Sequence, residues 1–461
     1  MSSLYLWVIL AAYGVGLYWI SPRTRDADGF FGGRDDAGRE AGFWLLTSSV
    51  FISWIFAKSV TNAANLGAEF GLVGALAYAA YWLSIPIAGV VIVGLRRNHG
   101  ARSLPEFLTR RFGRGASLAF MVAILIRLYN EVWSNTAVVA SYFGTKGQAP
   151  YYIAAGLFTA FTLAYSLKGG LRSSILTDAV QTALFVFLVG LVLFAVLPRS
   201  GVTRLATAGD FSLHAGLDLL IVALVQSLSY PFHDPVLTDR AFISREGTTV
   251  KAFALAGAAG FVFIVLFGLV GVHAFVQGIP ATEDTPASVA RSFGLATLTG
   301  MNVLMLTSAG STLDSTFSSM AKAGALDLGS VMARVGFRPG SVSLGRWAMI
   351  MIAVLGNLPL FTGARILQAT TISGTMVMGL APIFLLAFLR EAPPLSFHLA
   401  FWAGVALGLL EALGLVPAAL SIGDGRYASL LGVNVYGLIV CSTLFVVPAL
   451  VARRSAAAEF A

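Results

Sequence analysis

Long apolar windows separated by short polar joints run along the whole chain. Crossing about 30 Å of hydrocarbon takes about 20 helical residues, and windows of that length recur throughout. Because backbone polar groups find no water inside a bilayer, such windows predict membrane-spanning helices. The fold class that we predict is an all-α polytopic membrane protein. We place about thirteen spans, at residues 3–21, 41–66, 70–95, 117–143, 150–167, 173–197, 213–231, 250–277, 291–326, 344–362, 364–390, 397–417 and 431–452.

The composition agrees with this pattern and leaves no soluble domain of useful size. Of the 461 residues, 57% are hydrophobic and 11% are charged, and the mean hydropathy is +0.81. An average soluble domain carries about 25% charged residues. The single cysteine, Cys441, excludes an internal disulfide and a cysteine-based metal cluster.

Basic residues are distributed unevenly between the two sides of the predicted bundle. With the N-terminus outside, the inner joints receive most of them, among them Arg96, Arg110 and Arg240, whereas the outer joints receive few, such as Lys146 and Arg426. The positive-inside rule therefore predicts an outer N-terminus and a cytoplasmic C-terminus, in a cell membrane that we take to be a bacterial inner membrane. The formal net charge of +8 follows from this topology and gives no reason to expect nucleic acid.

Ionisable side chains inside a span cost several kcal/mol, so they are the first candidates for function. In the predicted fourth span, Arg127, Asn130, Glu131 and Ser134 form one helical stripe. Arg127 and Glu131 lie four residues apart and can pair as a structural couple, which we favour for these two over direct contact with a ligand.

A second stripe lies in the span at 41–66. Lys58, Thr61 and Asn62 share a face there, and no acidic residue lies in the same helix. The lysine must therefore find a partner on another helix or in a ligand.

A third polar stripe is the segment SAGSTLDSTFSS, residues 308–319. Ser308, Ser311, Thr312, Ser315 and Ser319 recur at helical spacing, so their hydroxyls share one face. Such a face can replace part of the hydration shell of a monovalent cation. The alternative is a packing face of small residues, which composition alone favours.

Three segments together resemble the sodium:solute symporter family. They are SLPEFLTRRFG at 103–113, KGGLRSSILTDAVQ at 168–181 and SAGSTLDS at 308–315. The resemblance implies a ten-helix core of two inverted five-helix repeats, at 41–197 and 213–390, with one peripheral helix before it (3–21) and two after it (397–452). It also implies that the first helix of each repeat is discontinuous, and SYPFHDP, with Pro231 and Pro235, reads as such a break.

The resemblance also implies the site residues. The sodium ligands would be the side chains of Ser308, Ser311 and Thr312 with the carbonyls of Trp54 and Ala57, and Asp178 would contribute to a further sodium position or gate ion release. The substrate candidates would be Lys58, Thr61, Asn62, Arg127, Asn130, Glu131, Ser227, Tyr230, Gln368 and Thr371.

Lys58 stands where the resembling proline and sugar carriers have a serine that faces the substrate. Glu131 has Arg127 in reach on its own helix, and Asp314 lies off the hydroxyl face, so neither is expected to hold Lys58 permanently. We therefore predict that Lys58 anchors a substrate carboxylate.

The leading hypothesis is sodium-coupled import of a small organic solute, a carboxylate or a zwitterion, by alternating access. One alternative is a proton-coupled or sodium-independent carrier of the same fold, with the Lys58 ammonium in the cation position. Another is a transporter-like sensor. Because the sequence has no paired-histidine metal motif, we expect neither an enzyme nor a catalytic cofactor. Sodium is the expected coupling ion, and no obligate protein partner is evident.

Overall fold

The computed structural model describes residues 4–328, 340–361 and 366–459, and the side chains of all of these except 366–370 and 454–459. Within those residues the chain is helical and contains no strand, which confirms the all-α class. The helices are α1 (Leu4–Ile20), α2 (Ala27–Gly32), α3 (Phe43–Trp54), α4 (Ala57–Phe70), α5 (Leu72–Ala79), α6 (Ser84–His99), α7 (Leu104–Phe112), α8 (Arg114–Ser141), α9 (Ala149–Ser200), α10 (Val202–Ala206), α11 (Leu217–Gln226), α12 (Pro235–Thr238), α13 (Glu246–Gln277), α14 (Thr285–Ser292), α15 (Leu295–Lys322), α16 (Val342–Leu355), α17 (Ile366–Met376), α18 (Leu380–Leu385), α19 (Pro394–Ala412) and α20 (Ala428–Glu459).

Each predicted span contains one of these helices or part of one. Among the described residues, 7 helical segments are long and apolar enough to cross a membrane, or 8 if the bent pair α3–α4 counts as one span. The chain is therefore a multi-span membrane protein. The number thirteen and the division into two repeats with peripheral helices stay predictions.

The first predicted discontinuity is confirmed at the junction of α3 and α4. The two helices meet at 58° across Ile55 and Phe56. Ile55 has φ −87° and ψ 78°, which is not helical, so the hydrogen-bond ladder stops there. Carbonyls at such a break are free to face other groups inside the bundle.

The second predicted discontinuity is also confirmed, but the span is longer than its predicted end at residue 231. α11 ends at Gln226, and short helical turns then continue through a buried path to Ala241. Pro231 and Pro235 have no N–H to donate, so the helix cannot run straight through them. The apolar count ended at the first of these prolines, although the chain remains inside the protein.

The fifth and sixth predicted spans are joined without a loop. α9 covers both, and it is kinked sharply at Gly170, which has φ 56° and ψ −139°. A side chain at this position would meet the backbone carbonyl of Phe30. Glycine is therefore required both by the backbone conformation and by the close approach of the neighbouring segment.

The centre of the bundle is formed by the broken helix and the helices around it. α15 packs along α9 and also contacts α3 and α8, whereas α13 packs along α4 and α3. This arrangement places the hydroxyl stripe of α15 against the break between α3 and α4.

Candidate ion and substrate site

The hydroxyl stripe of α15 meets backbone carbonyls at the α3–α4 break. Ser308 Oγ donates to the carbonyl of Ile55. Thr312 Oγ1 lies 3.4 Å from the carbonyl oxygen of Ser53 and 3.1 Å from that of Ser308 on its own helix. The structure therefore brings hydroxyl and carbonyl oxygens together here, which are the ligand types that monovalent cations accept in membrane proteins.

The backbone carbonyls of the α3–α4 break that contact Ser308 and Thr312 belong to neighbours of the predicted residue Trp54. The prediction named Trp54 and Ala57, whereas the recorded contacts involve Ser53 and Ile55. The Trp54 side chain points elsewhere, because its indole Nε1 donates to Asp234 Oδ2 at 2.8 Å. Ala57 is the first residue of α4.

Asp178 lies beside the same stripe, as predicted, and it is completely buried. Ser311 Oγ donates to Asp178 Oδ1 at 2.5 Å. Ser49 Oγ donates to Asp178 Oδ2 at 2.6 Å. The carboxylate thus connects α9, α15 and the first half of the broken helix α3.

Arg240 is the residue that the sequence analysis misplaced. It was counted as a basic residue of an inner joint, but its side chain is completely buried. Arg240 Nη2 lies 3.0 Å from Asp178 Oδ2. The extension of the seventh span beyond residue 231 carries this arginine into the protein, so hydropathy counting could not have placed it there.

The prediction that Lys58 lacks a permanent partner is wrong. Lys58 Nζ lies 2.6 Å from Glu131 Oε1, and both side chains are buried. The prediction rested on the one-turn separation of Arg127 and Glu131 on α8, which lets the arginine pair with this carboxylate. In the structure Arg127 does contact Glu131, but a single carboxylate oxygen, Oε1, has more than one lone pair and contacts both cations.

A second buried carboxylate beside these residues comes from the other broken helix. Arg127 Nη2 lies 2.7 Å from Asp234 Oδ2. Asp234 Oδ1 also accepts from the N–H of Val236 at 3.0 Å and so caps α12. Asp234 was not among the predicted site residues. Its position between Pro231 and Pro235 was the available signal, because an aspartate at such a break is a favoured N-cap.

We call Lys58, Arg127, Glu131 and Asp234 the charge cluster. It contains two cations and two carboxylates, so its net charge is zero. The Phe56 ring lies beside both cations, 5.2 Å from Lys58 Nζ and 5.1 Å from Arg127 Cζ. The cluster therefore holds α4, α8 and α12 together at the level of the two breaks.

A cavity of about 1160 Å³ opens on one end of the molecule, on the side that the sequence predicts to be outer. Of the predicted substrate residues, Thr61 and Asn62 on α4 and Thr371 on α17 line it. Trp133 on α8 forms part of the same wall. These residues give the deep part of the cavity a neutral polar and aromatic lining.

Charged residues of the cavity are at its rim. Arg426 pairs with Glu69 at the end of α4, and Asn65 binds the segment before α14 through the carbonyl of Glu283, at 2.9 Å. Asp284 also lines the rim, and burial raises the pKa of its carboxyl above the usual value. The rim thus joins α4 to two connecting segments.

The other predicted substrate residues lie outside the cavity lining. Ser227 Oγ donates to the carbonyl of Ala223 at 2.7 Å. The Tyr230 ring is buried, 6.1 Å from the ring of Trp54. Asn130 is buried on α8, next to the charge cluster. Gln368 belongs to the residues whose side chains lie outside the described part.

The opposite end of the molecule is closed by polar contacts. Arg96 Nη1 donates to the carbonyls of Ala241 and Ser244 at 2.7 and 2.8 Å. Lys322 Nζ lies 2.5 Å from Asp239 Oδ1. Among the described residues, these contacts join helical segments at the end of the bundle opposite the cavity.

Solved structures share this architecture. A substrate-bound, outward-open structure of a Na⁺-coupled sialic acid symporter superposes with a TM-score of 0.71, covering 98% of both chains at 16% identity. Mhp1, a nucleobase-cation-symport-1 family transporter, superposes in its closed form with a TM-score of 0.57, covering 92% of this chain and 95% of its own at 14% identity. Both likenesses show the fold.

Sequence relatives point in the same direction over a shorter region. The human sodium/glucose cotransporter 4 is 28% identical over 186 residues, which are 39% of this chain and 26% of the relative. The pig sodium/glucose cotransporter 1 is 29% identical over 189 residues, which are 39% of this chain and 27% of the relative. The matched region thus spans about a quarter of each relative's length.

The family match covers most of the chain. Residues 36–393 match the sodium:solute symporter family, and this range includes both broken helices, the α15 hydroxyls and the charge cluster. The chain belongs to the sodium:solute symporter family.

Proposed function

We propose that this protein is a secondary active transporter that uses an inward sodium gradient to import a small organic solute by alternating access. The observation that carries the proposal is the meeting of the α15 hydroxyls with the α3–α4 break. The first turns of α4 begin at this break and continue into the cavity wall at Thr61 and Asn62. An ion at the break and a solute in the cavity would therefore act on the same half-helix, which is a physical basis for coupling.

The proposed sodium ligands are Ser308, Ser311 and Thr312 with carbonyl oxygens of the break between Trp54 and Ala57. Sodium would replace the hydrogen bonds that the Ser308 and Thr312 hydroxyls now make to the carbonyls of Ile55 and Ser53, which lie at the same break. Each hydroxyl can rotate to present its lone pairs. Because the ligands are neutral oxygens, the ion can bind and leave during a transport cycle.

The proposed solute adds no net charge to the site. The charge cluster is already neutral, so a zwitterion, or a carboxylate that enters together with sodium, keeps the balance. A carboxylate on Lys58 would take the place of Glu131, which would keep Arg127 as its partner. Thr61 Oγ1, on the cavity wall, has no hydrogen-bond partner among the described residues, and it is available for a polar group of the solute. The Asn130 amide also has none there, but a solute would have to reach beyond the cavity lining to contact it.

We place the protein in a cell membrane, in a bacterial inner membrane with the N-terminus outside and the C-terminus in the cytoplasm. The cavity then opens to the outside, and Arg96 and Lys322 close the cytoplasmic end. Its partners in this proposal are the solute, sodium and the lipid bilayer.

The test is a thermal-shift titration of the detergent-solubilised protein with sodium, compared with potassium and choline. A ligand that binds only the folded state stabilises it by about 2.7 kcal/mol at 100 times its dissociation constant. We expect a shift with sodium alone, and its loss in the double variant Ser311→Ala/Thr312→Ala.

The matched control is Thr316→Ala/Ser318→Ala on the same helix. These hydroxyls donate to carbonyls of their own helix, those of Thr312 and Asp314, at 2.8 and 2.9 Å, so the sodium shift should survive. An equal response in all three salts would rule out the sodium site. Uptake driven by a pH gradient in sodium-free proteoliposomes would favour the proton-coupled carrier instead.

A further inference from the structure

A groove of about 410 Å³ lies between the last turns of α6 and the chain at the end of α18. Its volume is in the range of about 300–1,000 Å³ that is usual for ligand sites. Arg96, in the same turns of α6, makes contacts at the end of the molecule opposite the outer cavity, so the groove belongs to that end. No residue lines both the groove and the outer cavity, and the groove is therefore separate from the candidate ion and substrate site.

The walls of the groove are apolar along most of their length. Val91 and Gly94 line it on α6, and Phe388 lines the opposite wall, where it is 69% exposed. The buried Phe384 also lines the groove, and its ring lies 4.8 Å from that of Phe232 in the second broken helix. An exposed apolar surface on a membrane protein is suited to lipid chains, so an acyl chain fits here.

The far end of the groove is polar. Asn98 and His99, the last two residues of α6, line it together with Arg390. A helix rises 1.5 Å per residue, so His99 lies about 12 Å beyond Val91 along α6. Arg390 is exposed and makes no ion pair within the described part of the chain. The groove thus changes along its length from an apolar channel to a free cation.

The surroundings of this end are basic. Arg111 Nη2 donates to the carbonyl of Leu389, which holds the chain before Arg390 against α7 and brings a second cation close to it. Glu391 is exposed and offsets one of these charges. Residues 96–114, which include the end of α6 and all of α7, contain six arginines and one glutamate. The mouth of the groove therefore attracts anions.

We propose that this groove binds an anionic phospholipid from the membrane leaflet at this end of the molecule. The acyl chain lies between Val91 and Phe388, and the phosphate lies at Arg390. Basic pockets between membrane-spanning helices on the cytoplasmic side suit such head groups. A zwitterionic phospholipid offers the same chains, but its ammonium cancels its phosphate charge, so Arg390 gives the preference for the anionic lipid. The proposal does not depend on sodium coupling.

The experiment measures lipid binding to the detergent-purified full chain by native mass spectrometry. The probes are dioleoylphosphatidylglycerol, which is anionic, and dioleoylphosphatidylethanolamine, which has the same chains and no net charge. We expect the phosphatidylglycerol to bind about fivefold more tightly, the factor that one arginine near the membrane surface contributes for anionic lipid. Equal binding of the two lipids would overturn the proposal.

Two positions separate the head group from the acyl chain. Arg390→Gln should remove the preference for phosphatidylglycerol, and Arg390→Lys should keep it. Gly94→Leu should weaken the binding of both lipids, because Gly94 lines the groove and a side chain there would extend into open space, with no atom within 4 Å of its Cβ. A folded Gly94→Leu protein that bound phosphatidylglycerol as the wild type does would overturn the proposal.

The matched controls are Arg25→Gln and Gly190→Leu. Arg25 is exposed between α1 and α2, and Gly190 is exposed on α9 with no atom within 4 Å of its Cβ position. Neither residue lines the groove, so both variants should bind phosphatidylglycerol as the wild type does. A loss in Arg25→Gln equal to that in Arg390→Gln would assign the preference to the basic surface as a whole and overturn the site.

A measurement on the wild type locates the lipid without any variant. Phosphatidylglycerol with a diazirine in its acyl chain should label peptides that contain residues 91–95 or 384–388 after photoactivation. sn-Glycerol 3-phosphate, which has the phosphate and no acyl chain, should not compete. Labelling confined to other helices, or complete competition by sn-glycerol 3-phosphate, would overturn the proposal.

Discussion

At the scale of single residues, the charge cluster is the feature on which binding and stability both depend. Glu131 contacts Lys58 and Arg127, and Arg127 contacts Glu131 and Asp234. Each inner member therefore has two partners of opposite charge. A buried pair contributes little net stability by itself, whereas removing one partner leaves an uncompensated charge.

We predict that Lys58→Met destabilises the protein by about 3–5 kcal/mol, because it leaves one net negative charge in the cluster. Lys58→Met/Glu131→Gln removes one charge of each sign and should recover most of the loss. The measurement is denaturation in detergent, followed by intrinsic fluorescence. The double variant should also lose carboxylate or zwitterion binding and keep the sodium shift.

Lys251→Met is the matched control, because Lys251 is exposed on α13 and should tolerate the change. If Lys58→Met were as stable as wild type, Lys58 would not act as a charge in this cluster. Carboxylate binding that persisted in the double variant would exclude Lys58 as the substrate anchor.

Sequence reasoning reached part of this site. Helical spacing correctly placed Ser308, Ser311 and Thr312 on one face, since spacing within one helix is fixed by geometry. The position of Asp178 beside that face, on another helix, was implied only by the family resemblance. It could not decide which helices face each other. The partners Lys58–Glu131 and Asp178–Arg240 are 73 and 62 residues apart, so only the packing of the bundle reveals them.

At the scale of helices, the breaks were the most predictable feature and the span ends the least. Pro231 and Pro235 mark the second break directly, because proline removes a backbone donor. The first break falls at Ile55–Phe56, two residues without any such mark. It was predicted from the resemblance and from the polar residues around it, which is why its exact carbonyls could not be predicted.

The kink of α9 gives a prediction at this scale. Gly170→Ala should destabilise the protein by about 1–3 kcal/mol, because alanine is strained at φ 56° and ψ −139°. Its Cβ would also meet the Phe30 carbonyl. Thermal denaturation in detergent measures the loss.

Gly156→Ala is the comparison within α9. It is helical, and a side chain there would have no neighbour within 4 Å, so alanine should leave stability unchanged or raise it by up to about 1 kcal/mol. Equal effects of the two substitutions would mean that the kink does not depend on glycine.

At the scale of the whole molecule, one end is open and the other closed, and this can be tested together with the orientation. The single cysteine, Cys441, is buried, so Cys441→Ser gives a background without thiols. In that background Ala137→Cys, on the cavity wall, should react with a membrane-impermeant maleimide applied to intact cells. A bound solute should slow the reaction.

Ser244→Cys is the counterpart at the closed end. Ser244 is buried and donates to the carbonyl of Ala41 at 2.7 Å, so its thiol should stay unreactive from outside. If Ala137→Cys reacted only after the membrane was permeabilised, the orientation would be the reverse of the one that we propose.

The charge cluster also restricts how this sequence can change over evolutionary time. A lineage that replaces Lys58 by a neutral residue gains a buried negative charge unless Glu131 is lost as well, and Arg127 depends in the same way on Asp234. A single substitution that removes one of these four charges is therefore selected against, because it leaves an unpaired charge in the cluster. We expect descendants to keep or lose Lys58 with Glu131, and Arg127 with Asp234, as coupled pairs, with a change of transported solute accompanying the loss of the first pair.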